Sequence, residues 1–178
     1  MPDYRRVWIP GGTYFFTVSL ARRHKNDLLI RHIDCLRTAV RQTRQKYPFV
    51  IHGWVVLPDH MHCILSLPEH DADFALRWRL IKSKFSKKLA GAGEWRSVSR
   101  QKRGERGIWQ RRYWEHLIRS DQDFRAYLDY LHFNPVKHGY VSRVVDWPYS
   151  TFHHCVRQGL YSQDWSDNRA SDQLRIPD

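Results

Sequence analysis

The sequence predicts an α+β fold built on a ferredoxin-like antiparallel sheet that carries helices on one face. Four short segments with the composition of strands alternate with helical segments in the order β-α-β-β-α-β, and a further helix follows. The chain has 178 residues with eight Trp, nine Tyr and eight Phe, which is enough apolar material for one core. We therefore predict a single domain over 1–178, with its core at about 4–145 and an aromatic, then polar, tail over 146–178.

The first half of the chain contains three predicted strands and one helix. Residues 13–20 (TYFFTVSL) follow a pair of glycines that favours a turn, and their β-branched and aromatic side chains favour a strand. Residues 31–46 place apolar side chains at helical spacing along one face. Residues 49–56 and 60–67 are two further strand-like runs, joined by the turn-forming sequence Leu57-Pro58-Asp59.

The second half of the chain contains two predicted helices and the fourth strand. Residues 73–90 carry apolar side chains at steps of three or four, with basic side chains on the other faces. Residues 91–107 hold four glycines and many polar groups, which predicts a mobile basic loop. Residues 113–118 form the last predicted strand. Ser120 and the acidic residues after it are typical of a helix start, and we expect this helix to end near Asn134-Pro135.

The positive charge of the chain is concentrated in one segment. The net charge is +12, and residues 76–112 contain thirteen Lys and Arg but only two acidic residues. Such a field attracts polyanions, most simply nucleic acid. A solvated helix face followed by a loop is the alternative explanation. An acidic membrane surface is a weaker candidate, because the apolar residues of this segment are needed for the core.

Cysteine usage and the absence of targeting patterns predict the compartment. The three cysteines are widely spaced and form no CxxC pair. No signal-peptide pattern and no apolar run of membrane-spanning length occurs. We therefore expect a reduced, cytoplasmic protein without a membrane partner.

Two histidines in a predicted strand are the first candidates for chemistry. His60 and His62 flank one apolar residue, and alternate residues of a strand share a face, so their imidazoles would lie side by side with the two residues about 6–7 Å apart at the backbone. That spacing suits chelation of one metal ion, although the pair by itself is a weak signal. An RNA-recognition module has the same strand order, but its aromatic strand signature is missing here and histidines stand in its place.

The last predicted helix offers a nucleophile and a further polar ligand. Tyr130 and Asn134 lie one turn apart, about 40° from each other around the helix, on the flank of its apolar stripe. Tyr127 is the rival nucleophile. It lies closer to the middle of the stripe, and its neighbour one turn later is Leu131, which cannot bind metal. A packed aromatic without a chemical role is the ordinary alternative for either tyrosine.

These residues carry a resemblance to a known family. Residues 54–64 (WVVLPDHMHCI) resemble the His-hydrophobic-His motif of the single-tyrosine HUH transposases, and residues 129–139 (DYLHFNPVKHG) resemble their tyrosine helix. The match is closest to the REP-associated tyrosine transposases of bacteria. The opening at 4–18 and the late segment 146–153 also fit that branch, so the resemblance runs from about residue 4 to about residue 165. The segment 91–107 is longer than expected for the family.

The resemblance implies an HUH endonuclease core and a specific chemistry. His60, His62 and Asn134 would bind a divalent metal, and Tyr130 would be the nucleophile. Two imidazoles and an amide oxygen suit Mg²⁺ or Mn²⁺. Attack by the phenolate on a scissile phosphate would give a 5′-phosphotyrosine and a free 3′-hydroxyl, and the link could be reversed without ATP. A nearby cation such as Lys137 would help the phenol to ionise.

The leading functional hypothesis is a transposase that nicks and rejoins single-stranded DNA next to hairpins such as REP-like repeats. The alternatives are a catalytically inactive regulator that binds hairpin DNA, another HUH-type replication or transfer nickase, and a metallohydrolase. The expected partners are single-stranded and hairpin DNA, and the protein could act as a monomer or a homodimer. The predicted DNA contacts are Arg5, Arg6, Arg77, Lys82, Lys84, Lys87, Lys88, Arg111, Arg112 and Lys137.

Overall fold

A four-stranded antiparallel sheet lies at the centre of the computed structural model, which describes residues 6–89, 98–102, 106–166, 174 and 176. The strands are β1 (Thr13–Ser19), β2 (Val50–Val56), β3 (His60–Ser66) and β4 (Trp114–Leu117), in the spatial order β2-β3-β1-β4. All three strand pairs are antiparallel. The predicted α+β sheet is thereby confirmed, and each strand lies within one residue of its predicted bounds at either end.

The helices of the described residues differ from the predicted ones at four places. They are α1 (Leu28–Arg31), α2 (Ile33–Lys46), α3 (Phe74–Lys88), α4 (Val98–Lys102), α5 (Asp121–Lys137) and α6 (Phe152–Arg157), with a 3-10 turn at Val144–Asp146. The predicted helix 31–46 is preceded by the separate α1. The described part of the predicted loop 91–107 contains α4, and most of the remaining loop lies outside the described residues. The third difference is the end of α5, and the fourth is that the 3-10 turn and α6 follow it, where no helix was predicted.

Helix α5 continues through Pro135 instead of ending there. Its start is capped by Ser120, whose hydroxyl accepts a hydrogen bond from the backbone of Asp123 at 3.1 Å. At its end, the backbone N–H of Tyr140 donates to the carbonyl of Pro135 at 3.0 Å, and that of Gly139 donates to Val136 at 2.9 Å. Gly139 has φ +72°, the left-handed conformation that this C-terminal motif requires. The extra turn brings Lys137 and His138 to the site described below.

The two faces of the sheet are covered by different helices. Tyr14, Phe16 and Val18 of β1 pack in one buried cluster with residues of α2 and α3. Phe15 packs in a second cluster with α5, because successive residues of a strand point to opposite faces. The helices α2 and α3 share one face of the sheet, as predicted. Helix α5 differs from the prediction, because it covers the opposite face. No helix among the described residues is long and apolar enough to cross a membrane.

A glycine sets the separation between β2 and α5. The register of β2 against β3 shifts between Ile51 and Gly53, which marks an irregularity in the ladder. A Cβ atom at Gly53 would lie 2.6 Å from Cδ1 of Leu128 and 3.4 Å from Cδ1 of Leu131. Any larger residue at this position would therefore press on the end of the Leu128 side chain, on the helix that carries Tyr130.

Candidate active site

The two histidines of β3 face α5 and are fully buried. His60 is 1% exposed and His62 is 0% exposed, and the centroids of their rings are 5.0 Å apart. Met61, between them, belongs to the cluster on the opposite face. The structure thus places the two imidazoles side by side on one face of the sheet, as strand alternation predicts.

A carboxylate and a hydroxyl hold the two rings in place. Nδ1 of His60 lies 2.7 Å from Oδ1 of Asp59, and the guanidinium of Arg23 donates to Oδ2 of Asp59 at 2.7 Å. Burial alone would raise the pKa of Asp59, but the hydrogen bonds from His60 and Arg23 outweigh it and lower that pKa to about 2. The carboxylate is therefore charged at neutral pH. Nη2 of Arg23 also lies 3.2 Å from Nδ1 of His60. Because the Asp59 carboxylate is nearer and can only accept, we assign the proton to Nδ1 of His60.

This arrangement directs Nε2 of both rings to the site. With Nδ1 of His60 donating to Asp59, its Nε2 carries a lone pair, and this buried atom has no hydrogen-bond partner among the described residues. Nδ1 of His62 lies 2.9 Å from Oγ1 of Thr17 on the neighbouring strand β1. Metal-binding histidines in proteins are oriented by such contacts of their second nitrogen.

Tyr130, Asn134 and His138 are spaced four residues apart at the C-terminal end of α5, and they form a row that faces His60 and His62. The ring of Tyr130 lies 5.5 Å from the ring of His62, and the ring of His138 lies 5.2 Å from that of His60. Asn134 stands between them in this row and is fully buried, as is Tyr130. The amide oxygen and nitrogen of Asn134 have no hydrogen-bond partner among the described residues. An unsatisfied buried amide costs free energy, so a polar ligand at this point would stabilise it.

The structure separates the two candidate tyrosines. Nζ of Lys137 donates to the hydroxyl of Tyr130 at 3.2 Å and lies 4.8 Å from the centre of its ring. Tyr127 instead stacks on His116 of β4, with 4.4 Å between the ring centroids. Burial and then the charge of Asp123 raise the pKa of Tyr127 to about 12. Tyr130 is thus the tyrosine that combines contact with the histidine pair and a cation at its hydroxyl.

Within the described residues, no group of three or more His, Cys, Asp or Glu side chains is arranged to hold a metal ion. A donor set of two imidazoles and one amide does not require such a group.

His138 is a site residue that the sequence did not predict, although it continues the four-residue spacing that begins at Tyr130. The described tail residues Leu174 and Ile176 pack against the same apolar cluster as Tyr130.

Many of the basic residues lie on the other face of the sheet, around α3. A groove of about 550 Å³ runs between α3 and residues 106–113. Its walls hold six basic residues and its floor three aromatic ones: Arg6, Arg79, Lys82, Lys87, Arg106 and Arg111, with Trp78, Trp109 and Tyr113. We call it the α3 groove. Burial and then the nearby charge of Arg6 lower the pKa of Lys82 to about 8.

The predicted DNA contacts are divided by this geometry. Arg6, Lys82, Lys87 and Arg111 line the α3 groove. Lys84, Lys88 and Arg112 lie outside its walls, Lys137 belongs to the histidine site, and Arg5 lies outside the described residues. Arg79 and Arg106 line the groove but were not among the predicted contacts.

The prediction that Arg77 contacts DNA has to be corrected. Arg77 is 1% exposed, and its guanidinium donates to the carbonyls of Pro48 and Asp73 and to the carboxylate of Asp71. Because all of its nitrogens are used inside the protein, Arg77 ties α3 to the start of β2 and is not available to DNA.

Comparison with known proteins identifies the family. The chain is 48% identical over 166 residues to the REP-associated tyrosine transposase of Escherichia coli K12, and the match covers 93% of this chain and 92% of that protein. A relative from Haemophilus influenzae is 46% identical over 168 residues, covering 94% and 95%. The chain belongs to the REP-associated tyrosine transposase family. No protein-family model matches it.

A solved relative supports the fold of this transposase. A REP-associated tyrosine transposase bound to a REP hairpin superimposes with a TM-score of 0.80 and 47% identity, covering 94% of this chain and 92% of that one. The resemblance to the family and its fold are thus confirmed, and the chain is a transposase by family. The roles of Tyr130, the histidine pair and Asn134 stay predictions, with the geometry given above.

Proposed function

We propose that this transposase nicks and rejoins single-stranded DNA beside hairpins of REP-like repeats, through a metal-dependent reaction with a covalent 5′-phosphotyrosine at Tyr130. The observation that carries the proposal is the row formed by Tyr130, Asn134 and the half-buried His138, in which the ring of Tyr130 lies beside that of His62 and the ring of His138 beside that of His60. Membership of the family supports the general activity, and the geometry supports these particular residues.

Tyr130 is placed to act as the nucleophile. Its Oη would attack the scissile phosphate, forming an ester to the 5′ phosphate while the departing 3′ oxygen takes up a proton. Lys137 donates to this oxygen at 3.2 Å, and its positive charge favours the phenolate of a side chain whose ordinary pKa is about 10. Because the ester keeps the energy of the phosphodiester, the reverse exchange rejoins DNA without ATP.

His60, His62 and Asn134 would hold Mg²⁺ or Mn²⁺. The ion, when bound, would supply Lewis-acid polarisation of the scissile phosphate. The fit rests on the donor set and on the buried Nε2 of His60 and amide of Asn134, which have no hydrogen-bond partner among the described residues. Asp59 and Thr17 would fix the two rings so that little reorganisation accompanies binding.

The α3 groove would bind the phosphates of the hairpin. It combines six cations with three aromatic side chains; Arg106 also donates to the carbonyls of Ser86 and Leu89 and Arg6 pairs with Glu115, which leaves Arg79, Lys82, Lys87 and Arg111 as the main candidates to hold duplex phosphates. A solved relative is described as bound to a REP hairpin, which supports this type of substrate for the present chain. Affinity would then come from one face of the sheet and chemistry from the other.

The decisive experiment is adduct formation on a denaturing gel. The protein is incubated with Mn²⁺ and a labelled DNA that carries a hairpin with single-stranded flanks. We expect a covalent protein–DNA species that disappears in Tyr130→Phe, while this variant still binds the DNA. Tyr127→Phe is the matched control, since it removes the other hydroxyl of the same helix, and it should retain the adduct.

Other results would support the alternatives. Cleavage without an adduct would indicate a metallohydrolase that uses water. Binding without any cleavage would indicate an inactive regulator. An adduct that survives in Tyr130→Phe but disappears in Tyr127→Phe would overturn the assignment of the nucleophile.

A further inference from the structure

A series of aromatic rings leads away from the histidine site toward the outer edge of β2. His138, which contacts His60, lies 6.1 Å from Tyr140, and Tyr140 stacks on Trp147 with 5.4 Å between centroids. Trp147 in turn lies 5.5 Å from Tyr149. Tyr140 is 43% exposed, so the middle of this series is open to a ligand. Such rings are typical platforms for the bases of single-stranded nucleic acid.

The series ends at a groove on the other face of the sheet. This groove, which we call the α2 groove, has a volume of about 570 Å³ and lies between α2, β2 and residues 148–151. Its floor includes Val40, Ile51 and Trp54, and Tyr149 forms part of its wall. Its volume is within the range of pockets that hold small organic ligands.

Hydrogen bonds fix the wall of the α2 groove. The backbone N–H of Val56 donates to the carbonyl of Tyr149 at 2.9 Å, and that of Thr151 donates to the carbonyl of Trp54 at 2.9 Å. The hydroxyl of Thr151 also accepts from the backbone of Trp54 at 2.8 Å. Residues 149–151 are therefore attached to the edge of the sheet as an added strand would be, and the groove is formed before any ligand binds.

The charge of the α2 groove favours an anion. Arg37, Arg41 and Arg44 lie at helical spacing along its rim, and no Asp or Glu is among the described residues that line it. All three arginines are exposed: Arg44 donates to the carbonyl of Phe49 at 2.8 Å, Arg41 donates to the hydroxyl of Thr38 at 3.4 Å, and Arg37 pairs with Asp34, outside the groove lining, at 3.4 Å. A ligand with a flat apolar body and a negatively charged group would match the apolar floor and the basic rim together.

The indole of Trp54 gives an independent indication. Trp54 is 8% exposed, and its Nε1 is buried without a hydrogen-bond partner among the described residues. Buried indole nitrogens usually have a partner. A nucleobase in the groove carries ring nitrogens and carbonyl oxygens that could accept this hydrogen bond after a small rotation of the indole.

We propose that the α2 groove binds an unpaired nucleotide of the single strand that flanks the cleaved phosphate, with its base against Trp54 and Tyr149 and its phosphate at Arg37 and Arg41. The strand would reach the groove along the rings of Tyr140 and Trp147. This inference rests on the proposed function, because it assumes that single-stranded DNA passes the histidine site.

Substitution of one rim arginine tests the proposal. Arg41→Gln removes one charge from the rim, and Lys46→Gln is the matched control, since it removes one exposed charge from the same helix outside the groove. Affinity is measured by fluorescence anisotropy for a hairpin with single-stranded flanks and for the same hairpin without them. We expect Arg41→Gln to weaken binding of the flanked hairpin about three- to tenfold relative to the control, and to leave the flush hairpin unchanged. The slope of log K against log salt should fall by about 0.7 for the flanked DNA.

A photo-crosslink locates the base. Flanked hairpins carrying 5-iodouracil at successive flank positions should give, at one position, a crosslink to the peptide of Trp54 or Tyr149. The proposal is overturned if Arg41→Gln and Lys46→Gln bind the flanked hairpin equally, if Arg41→Gln weakens the flush hairpin as much as the flanked one, or if all crosslinks map to the α3 groove.

Adduct formation by the unsubstituted protein on the same flanked DNA tests the proposed function separately. If the adduct forms while Arg41→Gln behaves as the control, only the groove assignment fails. If no adduct forms while flank-dependent binding is lost in Arg41→Gln, the catalytic proposal fails and the groove still binds single-stranded DNA.

Discussion

Replacing Gly53 by alanine tests whether the close approach of β2 and α5 positions the nucleophile. The new Cβ would lie 2.6 Å from Cδ1 of Leu128, about 1 Å closer than an ordinary carbon–carbon contact. The end of the Leu128 side chain can move, but Leu131 at 3.4 Å limits the space on the other side. Tyr130 lies between these two leucines in the helix. Part of the overlap should therefore be relieved by moving α5 itself.

The expected effect is larger on the reaction than on stability. Overpacking of this kind costs about 1–3 kcal/mol, and replacing a strand glycine returns roughly 0.5–1 kcal/mol, so we expect a net loss of about 1 kcal/mol in the free energy of unfolding. A misplacement of 1 Å in an active site can cost about 100-fold in rate. A shift of a few tenths of an ångström in Tyr130 should thus slow single-turnover adduct formation by roughly tenfold.

A double-mutant cycle with Leu128→Ala supplies the assay and its control. Urea unfolding and adduct rates are measured for the unsubstituted protein, Gly53→Ala, Leu128→Ala and the double variant. The methyl group added by Gly53→Ala would fill part of the cavity that Leu128→Ala leaves. The double variant should therefore be more stable than the sum of the single effects by about 1 kcal/mol, and it should recover most of the rate. Simple additivity, or a Gly53→Ala variant with unchanged stability and rate, would refute the reasoning.

The remaining predictions concern Asp59, the metal and Arg77. The lowered pKa of Asp59, about 2 in place of 3.8, contributes stability that is present above pH 3.8 and is lost as the pH falls through 2, so Asp59→Asn should lower the free energy of unfolding by about 2 kcal/mol at pH 7. The difference from the unsubstituted protein should shrink between pH 4 and pH 2, and an unchanged difference would contradict this. Chelation with EDTA should abolish adduct formation but not hairpin binding, and Mn²⁺ should restore it; an adduct that persists in EDTA would contradict the metal assignment. Arg77→Ala should lower the free energy of unfolding by about 2–4 kcal/mol by leaving two carbonyls unsatisfied, while the folded variant binds the hairpin normally; weaker binding at unchanged stability would restore Arg77 to the DNA surface.

Local patterns in the sequence were sufficient where one element decides the geometry. The alternation of a strand places His60 and His62 on one face, and the pitch of a helix places Tyr130 and Asn134 in one row. The element order also predicted the sheet. None of these inferences depends on which helices and strands contact each other in the fold.

Inferences that depend on contacts between elements could not be made in the same way. The periodicity of α3 places Arg77 on the flank of its apolar stripe and Arg79 on the far side, but only the carbonyls of Pro48 and Asp73 explain why a charged side chain on that flank is fully buried. The sequence predicts the end of α5 too early because a proline usually stops a helix, whereas the hydrogen bonds around Gly139 close this helix about one turn later. Such partners are distant in sequence and leave no periodic signal.

The two grooves lie beside opposite edges of the sheet, and this constrains how DNA could run. The α3 groove includes Arg6 and Tyr113, and Arg6 pairs with Glu115 of β4, whereas the α2 groove lies against β2. β4 and β2 are the outer strands, so the edges are separated by three strand spacings, roughly 14 Å. A hairpin held by the first groove and a single strand held by the second would leave only a short stretch of DNA over the face with Tyr130. In the proposed mechanism, cleavage position is then set by the distance between two binding sites, and neither has to read the sequence at the scissile phosphate.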